Sequence, residues 1–298
     1  MAKLLNIGSI NIDHVYAVPH FVQEGETLSS LSMQNHPGGK GLNQSIALAR
    51  AGCAVAHAGR VGADGAPFVT LMREAGVNVD YVETVEGPSG HSIIQVTPKG
   101  QNCILLYPGA NQTLDAPFVD KVLSGYGAGD ILVLQNEVSH ISYAMQAAHT
   151  KGMRIAFNPS PFDASILELP LETVHWFLLN EIEGQMLTGK IEAEDILNEM
   201  ALLFPAACIV LTVGKDGVLY KERDAVFAHG IYKVPVVDTT AAGDTFTGFF
   251  IGSVAAEQPV EEALRLASVA SSLAVSRPGA ASSIPTLEEV LHSALEPE

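Results

Sequence analysis

Apolar positions along the chain fall into two alternating patterns. Short apolar runs, "KLLNIGSI", "AVAHAGRV", "DILVLQ", "RIAFNPS", "WFLLN" and "CIVLTVG", read as buried strands. Other stretches, such as "GLNQSIALARAG" and "GAPFVTLMREAG", carry helical spacing and close on a glycine. Strands alternating with helices predict βαβ units, and hence a three-layer α/β/α fold around a mainly parallel sheet. Residues 14–36 and about 90–107 break the alternation with period-two character and turn signals at Gly25 and "PKG". They read as hairpins inserted into the frame. Too small to fold alone, they would form a minor sheet placed as a lid beside a pocket. Without linkers or repeats, residues 1–298 read as one domain.

Charge narrows the partners. A formal net charge of −17 opposes non-specific binding to nucleic acid or anionic membrane. Phosphates would need local devices such as helix N-termini or metal ions. Cys53, Cys103 and Cys208 form no CxxC pair, so neither a zinc site nor a disulfide framework is suggested, and a cytoplasmic location is expected. The apolar run in "MAKLLNIGSIN" is too short for a signal peptide, and no long apolar span follows.

Several glycine-rich stretches compete as phosphate loops. "GYGAGD" precedes a strand and reads as a turn, and "GRVGADG" lacks the GxGxxG spacing. "GGKG" and "VGK" lack the upstream glycine and following Ser/Thr of a Walker loop. "VDTTAAGDTFTGFF" differs: it follows the short extended run "KVPVVD" and opens an apolar helix. Ala241, Ala242 and Gly243 leave first-turn N–H groups accessible to an anion, and Asp244 follows at once. An acid there can stabilise the helix terminus. Beside an anion hole it also suits a group that takes a proton from a hydroxyl as phosphate charge builds.

"DTTAAGDTFTG" resembles the C-terminal signature of the ribokinase-like carbohydrate kinases. "GSINID", "PGGKGLNQ", "LNEIE", "TVGKDG" and "SRPGAASSIP" resemble further blocks of that family, in its order, over nearly the whole chain. The resemblance implies a ribokinase-like fold and an ATP-dependent kinase acting on the primary hydroxyl of a pentose, D-ribose becoming ribose 5-phosphate. Deoxyribose, fructose, a nucleoside or a keto-sugar acid are the alternatives within the family. A sugar-binding regulator without catalysis is the alternative outside it. An NAD-dependent oxidoreductase would need GxGxxG where this chain has "GSINID".

The resemblance also assigns residues. Asp244 would be the base, with Ala242 and Gly243 as anion hole. Asn11, Asp13, Gly38, Gly39, Lys40, Asn43 and Glu137 would bind sugar, with Asp244. An amide and a carboxylate suit a polyol, although Asn11 and Asp13 can equally cap a turn, Lys40 can be solvated, and Glu137 can be a loop residue. Asn180, Thr212, Gly214, Gly243 and Ser268 would line the nucleotide site, Ser268 standing where many members carry Asn or His. Glu183 would hold Mg²⁺ through water, or Asn180 and Glu183 can simply start a helix. Asp238, Thr240, Ala274, Arg277, Gly279 and Ser283 would hold an activating K⁺, mostly by backbone carbonyls. His36, His57 and His91 form no catalytic or metal arrangement, each reading as a surface or satisfied interior residue. The apolar face of the minor sheet predicts a homodimer, as does the resemblance.

Overall fold

The structure, a computed structural model, describes residues 2–298. Parallel strands β1 (Leu4–Ile7), β4 (Val55–Val61), β5 (Asn78–Thr84), β8 (Ile131–Gln135), β9 (Arg154–Asn158), β10 (Trp176–Asn180) and β11 (Cys208–Thr212) build the main sheet. An antiparallel hairpin, β12 (Val218–Glu222) and β13 (Ala225–His229), extends one edge, giving the order β13-β12-β11-β10-β9-β8-β1-β4-β5. The six quoted apolar runs all lie in this sheet. The edge hairpin and β5, whose half-exposed residues give no long apolar run, add to what the pattern shows. "KVPVVD" is an irregular segment rather than a strand.

Side-chain alternation sends each strand into two cores. One lies under α1 (Lys40–Arg50), α2 (Ala66–Glu74), α7 (Ala242–Ala255), α8 (Val260–Val275) and α9 (Leu287–Leu291). The other lies under α3 (Ala116–Leu123), α4 (Ile141–Thr150), α5 (Glu181–Thr188) and α6 (Ala193–Leu203). None of the helices among the described residues is long and apolar enough to cross a membrane.

A second sheet has the order β3-β2-β6-β7, from β2 (Asn11–Ala17), β3 (Ser32–Gly38), β6 (Gly90–Val96) and β7 (Asn102–Tyr107). Each hairpin is antiparallel, and a parallel β2–β6 pairing joins the two. The first hairpin reaches further toward the main sheet than residues 14–36, so Asn11 and Asp13 are strand residues at its root and not turn caps.

Two close approaches set the geometry at that root. A Cβ on Gly41 would lie 2.3 Å from the Ser9 amide nitrogen, so only glycine lets α1 start against the β1–β2 connection. A Cβ on Gly248 would lie 2.3 Å from the Ala47 Cβ. Helices α1 and α7 therefore nearly touch there. One turn before Ala47 and Gly248 stand Asn43 and Asp244, which the same approach brings together.

Candidate active site

Helix α7 begins after Ala241, which adopts a left-handed conformation with φ 59°. That turn aims the first amides into a cleft of about 220 Å³ lined by Lys40, Asn158, Asn180, Glu183, Gly243 and Asp244, among others. The Ala242 amide leans on the Thr239 carbonyl at 3.3 Å. Gly243 has open space where a Cβ would stand, so the lack of a side chain leaves room for a ligand.

Asp244 is buried, and α1 supplies a donor to each of its oxygens. Asn43 Nδ2 donates to Oδ2 at 3.0 Å and Gln44 Nε2 to Oδ1 at 2.9 Å. Asn43 Oδ1 is buried without a partner and remains available to a ligand hydroxyl. At the start of α1, the Lys40 amide donates to Glu137 Oε2 at 2.9 Å, and the Ser9 hydroxyl donates to the same oxygen. Burial opposes charge on the Lys40 ammonium, but Asp244, Glu137 and Glu183 outweigh it and hold the group above its ordinary value. Burial pushes the Glu137 carboxyl up, against the pull of Lys40 and Ser9. In a strongly acidic chain, Lys40 and the α7 terminus supply positive potential among the carboxylates of this cleft.

The root of the second sheet carries the next group. Asn111 Nδ2 donates to Asn11 Oδ1 at 2.7 Å, and Ser92 donates its hydroxyl to Asp13. Burial raises the Asp13 carboxyl, opposed by Ser92, His36 and His14. Gly38 is required beside it, because a Cβ there would lie 2.1 Å from Asp13 Oδ2. Gly39, at φ 91°, sits where a Cβ would meet the Asn11 amide and Ser9 Oγ at 3.0 Å, joining this group to Lys40.

On the other side the cleft opens into an apolar groove of about 550 Å³, lined by Thr212, Gly214, Tyr232, Val236, Ser268 and Val275, among others. Asn180, Thr212, Thr239, Ala242, Gly243 and Phe246 border both cavities, so they are continuous. Asn180 and Glu183 do start a helix: they form a reciprocal capping box, each side chain taking the other's amide at 3.0 Å. That cap uses only one Glu183 oxygen, Oε2.

Asp238 and Gly279 also meet. The Asp238 carboxylate accepts from the Gly279 amide at 2.9 Å and from the Thr240 amide and hydroxyl, while the Asp238 amide donates to Val275 O at 3.1 Å. Others of the set turn elsewhere: Arg277 pairs with Glu289 at 2.7 Å, the Ala274 carbonyl takes the Arg277 amide, and the Ser283 hydroxyl donates to Ala280 O. Among the described residues no three His, Cys, Asp or Glu cluster as metal ligands. A cation between these loops would thus rest on carbonyls and hydroxyls.

The chain matches the family model of the "pfkB family carbohydrate kinase" over residues 1–287. It belongs to that family. A ribokinase of Haemophilus influenzae is 34% identical over 301 residues, covering 98% of both chains. A deoxyribokinase of Salmonella typhi is 30% identical over 95% of both. Among solved structures, Arabidopsis thaliana ribokinase complexed with ribose and ATP superposes with a TM-score of 0.87, at 30% identity, over 98% of both chains. As a pfkB carbohydrate kinase, the chain is an enzyme of phosphoryl transfer. Ser9, Gln44, Ser92, Asn111, Asn158 and Ser160 stand in or against the site of this kinase without having been singled out in the sequence. Ser9 and Gln44 lie inside quoted family blocks, whereas nothing local marks Asn111, a hundred residues from Asn11.

Proposed function

We propose that this kinase transfers the γ-phosphoryl group of ATP to the 5-hydroxyl of D-ribose. The observation that carries this is the buried Asp244 carboxylate at the start of α7, held by Asn43 and Gln44 in a cleft that is continuous with the apolar groove. The ribose and ATP held by the Arabidopsis relative, of the same fold and near-full coverage, support it. Asn11, Asp13, Asn43 and Glu137, with the backbone at Gly38 and Gly39, would orient the sugar. As the hydroxyl oxygen bonds to the γ-phosphorus and the bond to the β–γ bridging oxygen breaks, its proton passes to Asp244 and ADP leaves. The Gly243 amide, the α7 terminus with Ala242, and Lys40 would stabilise charge on the transferring group.

Thr212, Gly214 and Ser268 would line the nucleobase groove beside Asn180. Glu183, with one oxygen outside its cap, fits outer-sphere binding of a hydrated Mg²⁺, a hard ion reluctant to dehydrate; when bound, it neutralises phosphate charge. The carbonyl- and hydroxyl-rich loops joined at Asp238 and Gly279 fit K⁺, which would stiffen the terminus that receives phosphate. The Arg277 and Ser283 side chains are engaged elsewhere, so these residues, like Ala274, would contribute backbone carbonyls. We assign the protein to the cytoplasm, consistent with three free thiols.

ADP release from ATP with Mg²⁺ and K⁺, comparing D-ribose, 2-deoxyribose, fructose, adenosine and no sugar, tests this. Release should be fast only with ribose, stop on Mg²⁺ chelation, and slow when Na⁺ replaces K⁺. Preferential turnover of 2-deoxyribose would transfer the assignment to the activity that the Salmonella relative's name carries.

We also assign 1–298 to one kinase domain whose second sheet is a lid shared in a homodimer. Every residue of β7 is exposed, Ile104 and Leu105 by 56% and 67%, and Met33 and Ile93 extend the apolar surface. Light scattering at micromolar concentration should give about 63 kDa, twice the 31.5 kDa chain. A monomer would remove the lid-pairing assignment.

A further inference from the structure

One patch of the main-sheet face beneath α1 is polar. Asn6 on β1, His57 on β4 and Gln135 on β8 are all fully buried. Asn6 and His57 are register partners, and Gln135 pairs with Asn158 on β9. By strand alternation they share the side whose core includes Leu4, Val55, Ile131 and Val133. Buried polar groups are costly unless bonded, and these are linked to one another and to α1.

The links run outward from a backbone carbonyl. Asn6 Nδ2 donates to Gly41 O and to Ser45 Oγ, both at 2.9 Å, and Ser45 Oγ meets His57 Nδ1 at 2.8 Å. A carbonyl can only accept, so Asn6 turns its oxygen toward Gln135. Gln135 Nε2 donates to that oxygen at 3.1 Å and to Gln44 Oε1 at 2.7 Å. Gln44 is left with its Nε2 facing Asp244 Oδ1, at 2.9 Å. Each amide fixes the sense of the next, from Gly41 to the carboxylate.

We propose that Gln44 is a positioning residue for phosphoryl transfer, held by Gln135 and Asn6 so that an N–H always faces Asp244. The inference rests on Asp244 being the base. Gln44 and Asn43 together pin both carboxylate oxygens from the α1 side, which fixes the carboxylate plane relative to the incoming hydroxyl. Without Gln44 that plane can rotate, and misalignment lowers turnover without weakening the binding of either substrate.

The test is steady-state kinetics of Gln44→Met, Gln135→Met, the double variant and Asp244→Asn. Gln44→Met keeps the volume but removes the donor, and kcat should fall about 10- to 100-fold. KM for sugar and ATP should stay within about twofold, because Asn11, Asp13 and the groove are untouched. Gln135→Met should lose about 3- to 10-fold in kcat, and the double variant should be no slower than Gln44→Met, since Gln135 acts only through Gln44. Wild-type kcat in Gln44→Met, a KM rise matching the loss, or losses that multiply in the double variant would each overturn the proposal. An inactive Asp244→Asn beside a fully active Gln44→Met rejects the role of Gln44 alone. An active Asp244→Asn rejects the base assignment beneath it. Should Gln44→Met fail to fold, Gln135→Met, which touches neither Asp244 nor the cleft, decides: an unchanged kcat there is also a refutation.

Discussion

Asp244→Asn should lower kcat by about 10²- to 10⁴-fold while leaving the sugar KM near wild type. The loss follows from the chemistry, since an amide cannot take the hydroxyl proton as the oxygen attacks phosphorus. The fold should survive, for a reason visible in the hydrogen bonds. An Asn at this position keeps one acceptor and turns one NH₂ toward a neighbouring donor. Gln44 cannot reverse, because Gln135 donates to its oxygen. Asn43 can, because its Oδ1 has no partner and accepts readily after a flip. The variant should therefore melt within a few degrees of wild type by circular dichroism. Turnover within threefold of wild type in a folded Asp244→Asn protein would remove the base assignment.

The second large effect concerns stability in acid. His57 is fully buried, with Ser45 on Nδ1, and burial lowers its imidazole from 6.5 to about 4 against the opposing pull of the Gly8 backbone. Below pH 6.5 the unfolded chain takes up a proton that the folded chain refuses. The unfolded state thus binds more protons between about pH 4 and 6.5, and stability rises with pH across that window. The contribution is complete above pH 6.5 and falls by about 3 kcal/mol on acidification to pH 4. Urea unfolding across a pH series, comparing wild type with His57→Leu, measures it. The variant should be less sensitive to pH by that amount; identical pH dependence in the two proteins would refute the account. The sequence predicts a surface or satisfied interior residue at this position. It is interior, bonded to Ser45 through Nδ1.

Local sequence is enough to locate most of the elements. The apolar runs mark β1, β4, β8, β9, β10 and β11 because strands buried on both faces read as near-continuous apolar runs, broken only where a polar residue finds a partner inside. Gly52 and Gly76, both at positive φ, end α1 and α2 where the pattern stops. The Ala-Ala-Gly-Asp turn is legible for the same reason: bared amides and an adjacent acid are properties of consecutive residues. The inserted hairpins are legible as period-two segments, but their union is not, because β2–β6 pairs residues such as Asn11 and Gly90 far apart in the chain.

Tertiary structure decided the environment of each polar group. Asp244 finds Asn43 and Gln44 only because Gly248 lets α7 approach α1, a contact between residues about 200 positions apart. Asn11 is fixed by Asn111, Glu137 by Ser9 and the Lys40 amide, and Asp13 by Ser92. Chain periodicity records whether a position is inside or outside, and which turn it occupies. It carries no record of which distant donor completes a buried acceptor, and those pairings set protonation and orientation in the site.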